Sequence, residues 1–247
     1  MANPVRSRAG FEKAKASADF SAIQQAVKLT VAELGDKPLI AFGGAPFTLA
    51  SYLIEGGPSR QFPHSRELMK SSPVLWAEIL QWCAELTAEF ISAQVIAGAS
   101  ALQVFDSWAG RLEEQEYSEF AQPHTKYLRS LLNFEFEGQS VPTIHFAVGA
   151  HKHLSAISDL GFDVLGVDAE TNISDVAKRL PETPLQGNIS TEILDKPWDE
   201  IQAHVGDVLE QGKTAKSHVV NLGHGVPKET DPEVLTKIVS YVHEVSA

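Results

Sequence analysis

The chain has 247 residues, with 20 Lys and Arg against 32 Asp and Glu, and a formal net charge of −12 at pH 7. With 43% hydrophobic residues and a mean hydropathy of −0.09 it has the composition of a folded globular protein, which excludes disordered and fibrous classes. The charge excludes a coat for duplex nucleic acid, and an anionic ligand is expected only in a pocket whose own cations or N–H groups override the field.

The start, Met1 to Arg6, carries no apolar h-region, so no secretory signal is expected. Asp19 reads as an N-cap. Phe20, Ile23, Val27, Val31 and Leu34 follow at helical spacing, and Gly35 closes the stretch. Pro38 to Gly44 is a short apolar run ending in glycines, the pattern of a buried strand. Ser72-Pro73 opens the clearest helix, with an expected apolar stripe of Leu75, Ile79, Trp82, Leu86 and Phe90 and a stop at Gly98. The longest mostly apolar stretch, Phe90 to Phe105, is broken by Ser92, Gln94, Gly98, Ser100 and Gln103, so no membrane span is expected.

A strand over Ala101 to Asp106 comes next, then strands at Thr143–Val148, Asp163–Val167, Pro184–Gly187 and His218–Leu222. Helical stretches near 151–160, 172–180 and 199–211 separate them, and Asp231-Pro232 opens a last helix. Alternating strand and helix implies parallel pairing with right-handed crossovers. No linker or charge block interrupts residues 1–247, so a single α/β domain is expected. Neither G-x-G-x-x-G nor a P-loop occurs. Instead polar residues follow several different strands: Tyr52, Asp106-Ser107, Asp168, Asn188 and His224, with His145 inside a strand. Function spread over many strand ends is the pattern of a TIM (β/α)8-type barrel, of which about six strands are readable, two fewer than a full barrel.

Three segments could carry chemistry. In Asn221-Leu222-Gly223-His224-Gly225 a histidine between glycines lets backbone approach a ligand with imidazole beside it, unless the segment is a plain turn. In Phe105-Asp106-Ser107-Trp108-Ala109-Gly110, Ser107 can donate to a bound carboxylate, or else Asp106 or Ser107 caps the next helix. The segment Gly44 to Gly57 places small residues before a short helix that presents Tyr52. Its N–H groups suit an anion, its Gly56-Gly57-Pro58 a mobile loop; the other reading makes Tyr52 a core aromatic. The one cysteine, Cys83, lies on the expected buried face as an inert thiol and suits a reducing cytosol. His151 and His153 read as solvated, and His145 as a satisfied core histidine. No G-x-S-x-G elbow occurs.

Together these segments resemble the uroporphyrinogen decarboxylase family. The resemblance is carried by Pro38 to Gly57, Gln103 to Gly110, Gln186-Gly187-Asn188 and Asn221 to Gly225, in family order across nearly the whole chain. It implies a TIM barrel, here without its first two strands, and a cytoplasmic, cofactor-free decarboxylase of heme biosynthesis. Such an enzyme removes the four acetate carboxylates of uroporphyrinogen to leave coproporphyrinogen, with no metal, nucleic acid or membrane. It also implies a homodimer. By the match, Tyr52, Ser107 and His224 contact substrate on the rim of one barrel mouth and Phe105 shapes an apolar wall. The family's R-Q-A-G-R-Y segment, whose arginines meet carboxylates, and the aspartate of its S-D-I-type segment, which accepts the pyrrole N–H groups, lie before the first residue matched here. The resemblance therefore leaves no catalytic residue in these 247 residues, and the chain alone is expected to be inactive. Two other readings remain: a corrinoid-dependent, zinc-using methyltransferase relative, and a non-catalytic tetrapyrrole-binding remnant.

Overall fold

The computed structural model describes residues 18–136 and 138–246. Two units divide the chain, one up to Ile144 and one from His145.

In the first unit Asp19 accepts the Ser21 N–H at 2.9 Å, and helix α1 (Ser21–Leu34) follows, with only Val27 buried. Strand β1 (Ile40–Gly44) leads into α2 (Pro46–Glu55), α3 (Pro63–Ser71) and the long α4 (Pro73–Ile96). Strand β2 (Ala101–Phe105) pairs parallel with β1, Ile40 opposite Ala101 and Gly44 opposite Phe105. Helices α5 (Glu114–Phe120) and α6 (Gln122–Leu131) and a short hairpin, β3 (Glu135–Phe136) with β4 (Gln139–Ser140), complete the run to β5 (Thr143–Phe146). Helix α3, α5, α6 and the hairpin escape the sequence reading.

Helix α4 begins after Ser72 as expected, but the Ser72 side chain makes no cap bond; its carbonyl accepts the Trp76 N–H at 3.0 Å. The buried face also differs from the expected stripe. Trp76, Leu80, Cys83, Thr87, Ile91 and Gln94 are buried, whereas Leu75 is exposed and Trp82, Leu86 and Phe90 are half-buried. The helix is apolar on most of its circumference, so polarity alone does not select the packed side; two polar residues lie on it.

Those two close the outer edge of β1. The bonds Ser100 N–H to Leu39 O and Ala45 N–H to Phe105 O fix which β1 residues face β2, and leave Ile40, Phe42 and Gly44 facing outward. The Gln94 amide accepts the Phe42 N–H at 3.3 Å and donates to the Phe42 carbonyl at 2.8 Å. The Thr87 hydroxyl donates to the Gly44 carbonyl at 3.0 Å. Side chains thus stand where a neighbouring strand's backbone would. Gly43 makes this possible: a Cβ there would lie 2.9 Å from Thr87 Cγ2 and 3.0 Å from Ile91, so a larger residue would lift α4 off the strand.

In the second unit a turn of 3₁₀ helix (His151–His153) precedes α7 (Leu154–Ser158). Strand β6 (Val164–Gly166), helix α8 (Ile173–Arg179), strand β7 (Leu185–Ile189), helix α9 (Trp198–Gly212), strand β8 (His218–Leu222) and helix α10 (Pro232–Ser246) then alternate. β6, β7 and β8 pair parallel in chain order. His153 is buried rather than solvated, because the turn folds it inward, and Asn188 lies within β7 rather than after it. Asn172 caps α8 by accepting the Asp175 N–H at 3.1 Å. No described helix is long and apolar enough to cross a membrane.

Candidate functional site

The first unit gathers three of the expected residues where β1 and β2 end. The Ala45 N–H donates to the Phe105 carbonyl at 2.8 Å, so the two strand exits are tied together. Phe105 is half-buried, its ring edge-on to Phe42 at 5.9 Å, an apolar wall on the sheet face away from α4. Ser107, two residues on, is exposed.

Tyr52 is 38% exposed and so is not a core aromatic. Its ring stacks edge-on against Trp108 at 5.7 Å, and Trp108 in turn meets Phe62 at 5.3 Å. The structure therefore brings Tyr52 beside the residue that follows Ser107. The sequence gives no warning of this, since Trp108 and Tyr52 lie far apart in the chain. Loop 56–62 is anchored. Glu55 accepts both the Ser65 N–H at 2.7 Å and the Ser65 hydroxyl at 2.8 Å, and Ser59 accepts the Phe62 N–H at 3.0 Å. Arg66 pairs with Glu116 and also donates to the Arg111 carbonyl at 2.9 Å.

Asp106 does not cap the next helix. It is wholly buried and accepts the Thr48 hydroxyl at 3.0 Å. Its charge, after burial itself, pushes the buried Tyr117 hydroxyl well above the usual phenol range, so Tyr117 stays protonated. The first turn of α2 is enclosed: Pro46, Phe47 and Thr48 are all buried. Cys83 is buried, and desolvation alone pushes its thiol up to about 12.

In the second unit the ends of β6, β7 and β8 are joined by polar contacts. Asp168, just past β6, accepts the Gly149 N–H at 2.5 Å and the Thr171 hydroxyl at 2.6 Å. The Asn188 amide donates to the Asp168 carbonyl at 2.8 Å and to the Thr171 carbonyl at 2.5 Å. Gly223 is buried, and its N–H donates to the Ile189 carbonyl at 2.7 Å. A Cβ on it would come 2.4 Å from the Ala169 backbone nitrogen. Only glycine fits, and the next residue, His224, is thereby held exposed at the strand end. His145 is buried in β5, its ring 5.1 Å from that of Phe162. Among the described residues no three His, Cys, Asp or Glu side chains form a group fit to hold a metal ion.

The family model described as "Uroporphyrinogen decarboxylase (URO-D)" matches residues 1–245. A uroporphyrinogen decarboxylase of Leifsonia xyli subsp. xyli is 46% identical over 243 residues, covering 93% of this chain and 64% of the relative. One from Salinispora tropica is 46% identical over 230 residues, covering 93% and 61%, and one from Thermobifida fusca is 42% identical over 250 residues, covering 100% and 68%. The chain thus spans less than two thirds of the length of the first two relatives. Among solved structures, a methyltransferase from Methanosarcina mazei matches with a TM-score of 0.78 at 22% identity, covering 91% of this chain and 64% of that one. A B12-independent methionine synthase from Shewanella sp. W3-18-1 matches with a TM-score of 0.63 at 9% identity, covering 91% and 66%. At such identities these two likenesses concern the fold alone.

Proposed function

The chain belongs to the uroporphyrinogen decarboxylase family, a TIM-barrel family, and from that premise we propose that it serves the cofactor-independent decarboxylation of uroporphyrinogen III to coproporphyrinogen III in heme biosynthesis. Each of four acetate side chains takes up one proton and releases one CO₂, leaving a methyl group. The pyrrole ring is its own electron sink. Protonation of a ring carbon gives a cationic, iminium-like ring; the breaking C–CO₂ bond delivers its electron pair into that ring. The exocyclic carbon is then protonated and the ring proton is lost. The protein's part is to hold an anionic macrocycle, stabilise the ring cation and position proton donors.

Tyr52, Ser107 and His224 are the substrate contacts in this reading, and Phe105 is an apolar wall. The observation that carries it is the exposed Ser107 next in the chain to Trp108, whose ring meets that of Tyr52 at 5.7 Å. The 247 residues contain no R-Q-A-G-R-Y segment to meet carboxylates. We therefore expect this chain alone to bind the ring without releasing CO₂. It pairs as a homodimer and works in the cytoplasm.

The test is anaerobic incubation of purified chain with uroporphyrinogen III, with products separated after oxidation and binding measured in parallel. Expected are binding without coproporphyrin, weakened by Y52F, S107A and H224A. Coproporphyrin formation would overturn the inactivity. Absence of binding, or binding indifferent to all three variants, would overturn the site.

A further inference from the structure

Ser107 is flanked by two residues that reach the same oxygen. The Thr48 hydroxyl donates to Asp106 Oδ1 at 3.0 Å and lies 3.4 Å from the Trp108 N–H, which donates to it. Thr48 and Asp106 are both buried, so the bond between them does not compete with bulk water. Thr48 also lies one helical turn before Tyr52 on α2, on the same side of the helix. The Tyr52 ring in turn rests on Trp108. One buried hydroxyl therefore joins the strand end that precedes Ser107, the peptide that follows it, and the helix that carries Tyr52.

We propose that Thr48 is a positioning residue: its hydroxyl bridges Asp106 and Trp108 and thereby fixes the exposed Ser107 relative to Tyr52. This deepens the reading above and rests on it for what the two side chains bind. Threonine suits the role because one oxygen must donate to a carboxylate and accept from an amide at once. Valine has the same shape and can do neither. Serine keeps the oxygen and loses only the methyl group. The carboxylate of Asp106 makes the donated bond charge-assisted, the stronger of the two. Loss of the hydroxyl removes the side-chain bridge across residues 106 to 108 without touching either substrate contact.

Two readouts separate this from a plain structural role. The first needs no ligand. A nitroxide on S107C reports loop motion, since the native thiol of Cys83 is buried and its pKa stands at about 12. T48V should raise the label's mobility, and T48S should restore it. The second readout is the dissociation constant for uroporphyrin III, the oxidised ring, measured well below the melting temperature. T48V should weaken it about tenfold and T48S should leave it within about twofold of the parent. If T48V does not fold, T48A carries the same expectations. A label as immobile in T48V or T48A as in the parent overturns the proposal, as does unchanged affinity where the parent binds. If the parent chain does not bind uroporphyrin III at all, the proposed substrate site falls for that ring, and label mobility alone decides the positioning role.

Discussion

Replacing Gln94 by leucine tests how β1 tolerates an open edge. The substitution nearly conserves volume but deletes the amide that holds the Phe42 N–H and C=O, at 3.3 and 2.8 Å, and a further contact to the Phe90 carbonyl at 3.3 Å. A net hydrogen bond contributes roughly 1 kcal/mol, and an orphaned buried partner costs more. Phe42 is 54% exposed, so water can reach the freed groups, and the added apolar side chain at a site only 2% exposed offsets part of the loss. The first unit should lose about 2 kcal/mol, or about 4–8 °C of melting temperature for a protein of this size. Three of the four tryptophans, Trp76, Trp82 and Trp108, lie in the first unit, so intrinsic fluorescence against urea reads the right region. The freed edge should also self-associate, visible as concentration-dependent sedimentation. Gln94→Glu should be worse than leucine, because it sets a buried carboxylate against the Phe42 carbonyl. A leucine variant within about 0.5 kcal/mol of the parent, and no more self-associating, would refute the edge-closing role.

Three further outcomes are expected. Burial lowers the pKa of His124, His204 and His218, so the unfolded chain binds more protons than the folded one below the ordinary histidine range. Their stabilisation is complete above pH 6.5 and is lost as pH falls through the lowered folded values. His204 adds a mechanism, since its Nε2 accepts the Ser190 N–H at 3.0 Å and cannot do so once protonated; urea midpoints should therefore fall from pH 7.5 to pH 5, and flat midpoints would contradict this. Gly223→Ala should cost about 1–3 kcal/mol and displace His224, because the added Cβ meets backbone at 2.4 Å; an unshifted His224 ring resonance by NMR would argue otherwise. Native Cys83 should resist thiol reagents until the chain unfolds, and stoichiometric labelling under native conditions would show that its burial is misjudged.

Much of the fold was legible because alternation of apolar runs with capped helices is a local signal. The six strands expected at Pro38–Gly44, Ala101–Asp106, Thr143–Val148, Asp163–Val167, Pro184–Gly187 and His218–Leu222 all form, the last with the same bounds and the others with one or both ends shifted by one or two residues. Helix α3 was missed because its mostly polar sequence, PHSRELMKS, shows no apolar stripe; Ser65 and Met69 are its only buried residues. Its start is held from outside by Glu55, a contact ten residues distant that no local pattern announces. The opposite failure occurred in α4, where too many apolar residues made several stripes equally plausible.

The same division runs through the candidate site. Tyr52, Ser107 and His224, the substrate contacts proposed above, stand out in the sequence because each is a polar residue just past an apolar strand or among small residues, and the structure leaves all three exposed. Thr48, Thr87 and Gln94 were not, because each is buried in a helix and acts on backbone or a carboxylate from a distant element. A polar residue on a packed helix face carries a cost unless its hydrogen bonds are met there. That cost is itself a signal. In α4 the polar residues Thr87 and Gln94 are seven apart, two turns on one face, and both reach the edge of β1. In α2 the only buried polar residues are Thr48 and Ser51, and Thr48 turns out to hold the loop that displays Ser107. Buried polar residues thus point to what the exposed ones depend on, and in this chain they lead from the strand edge to the loop on which the proposed substrate contact stands.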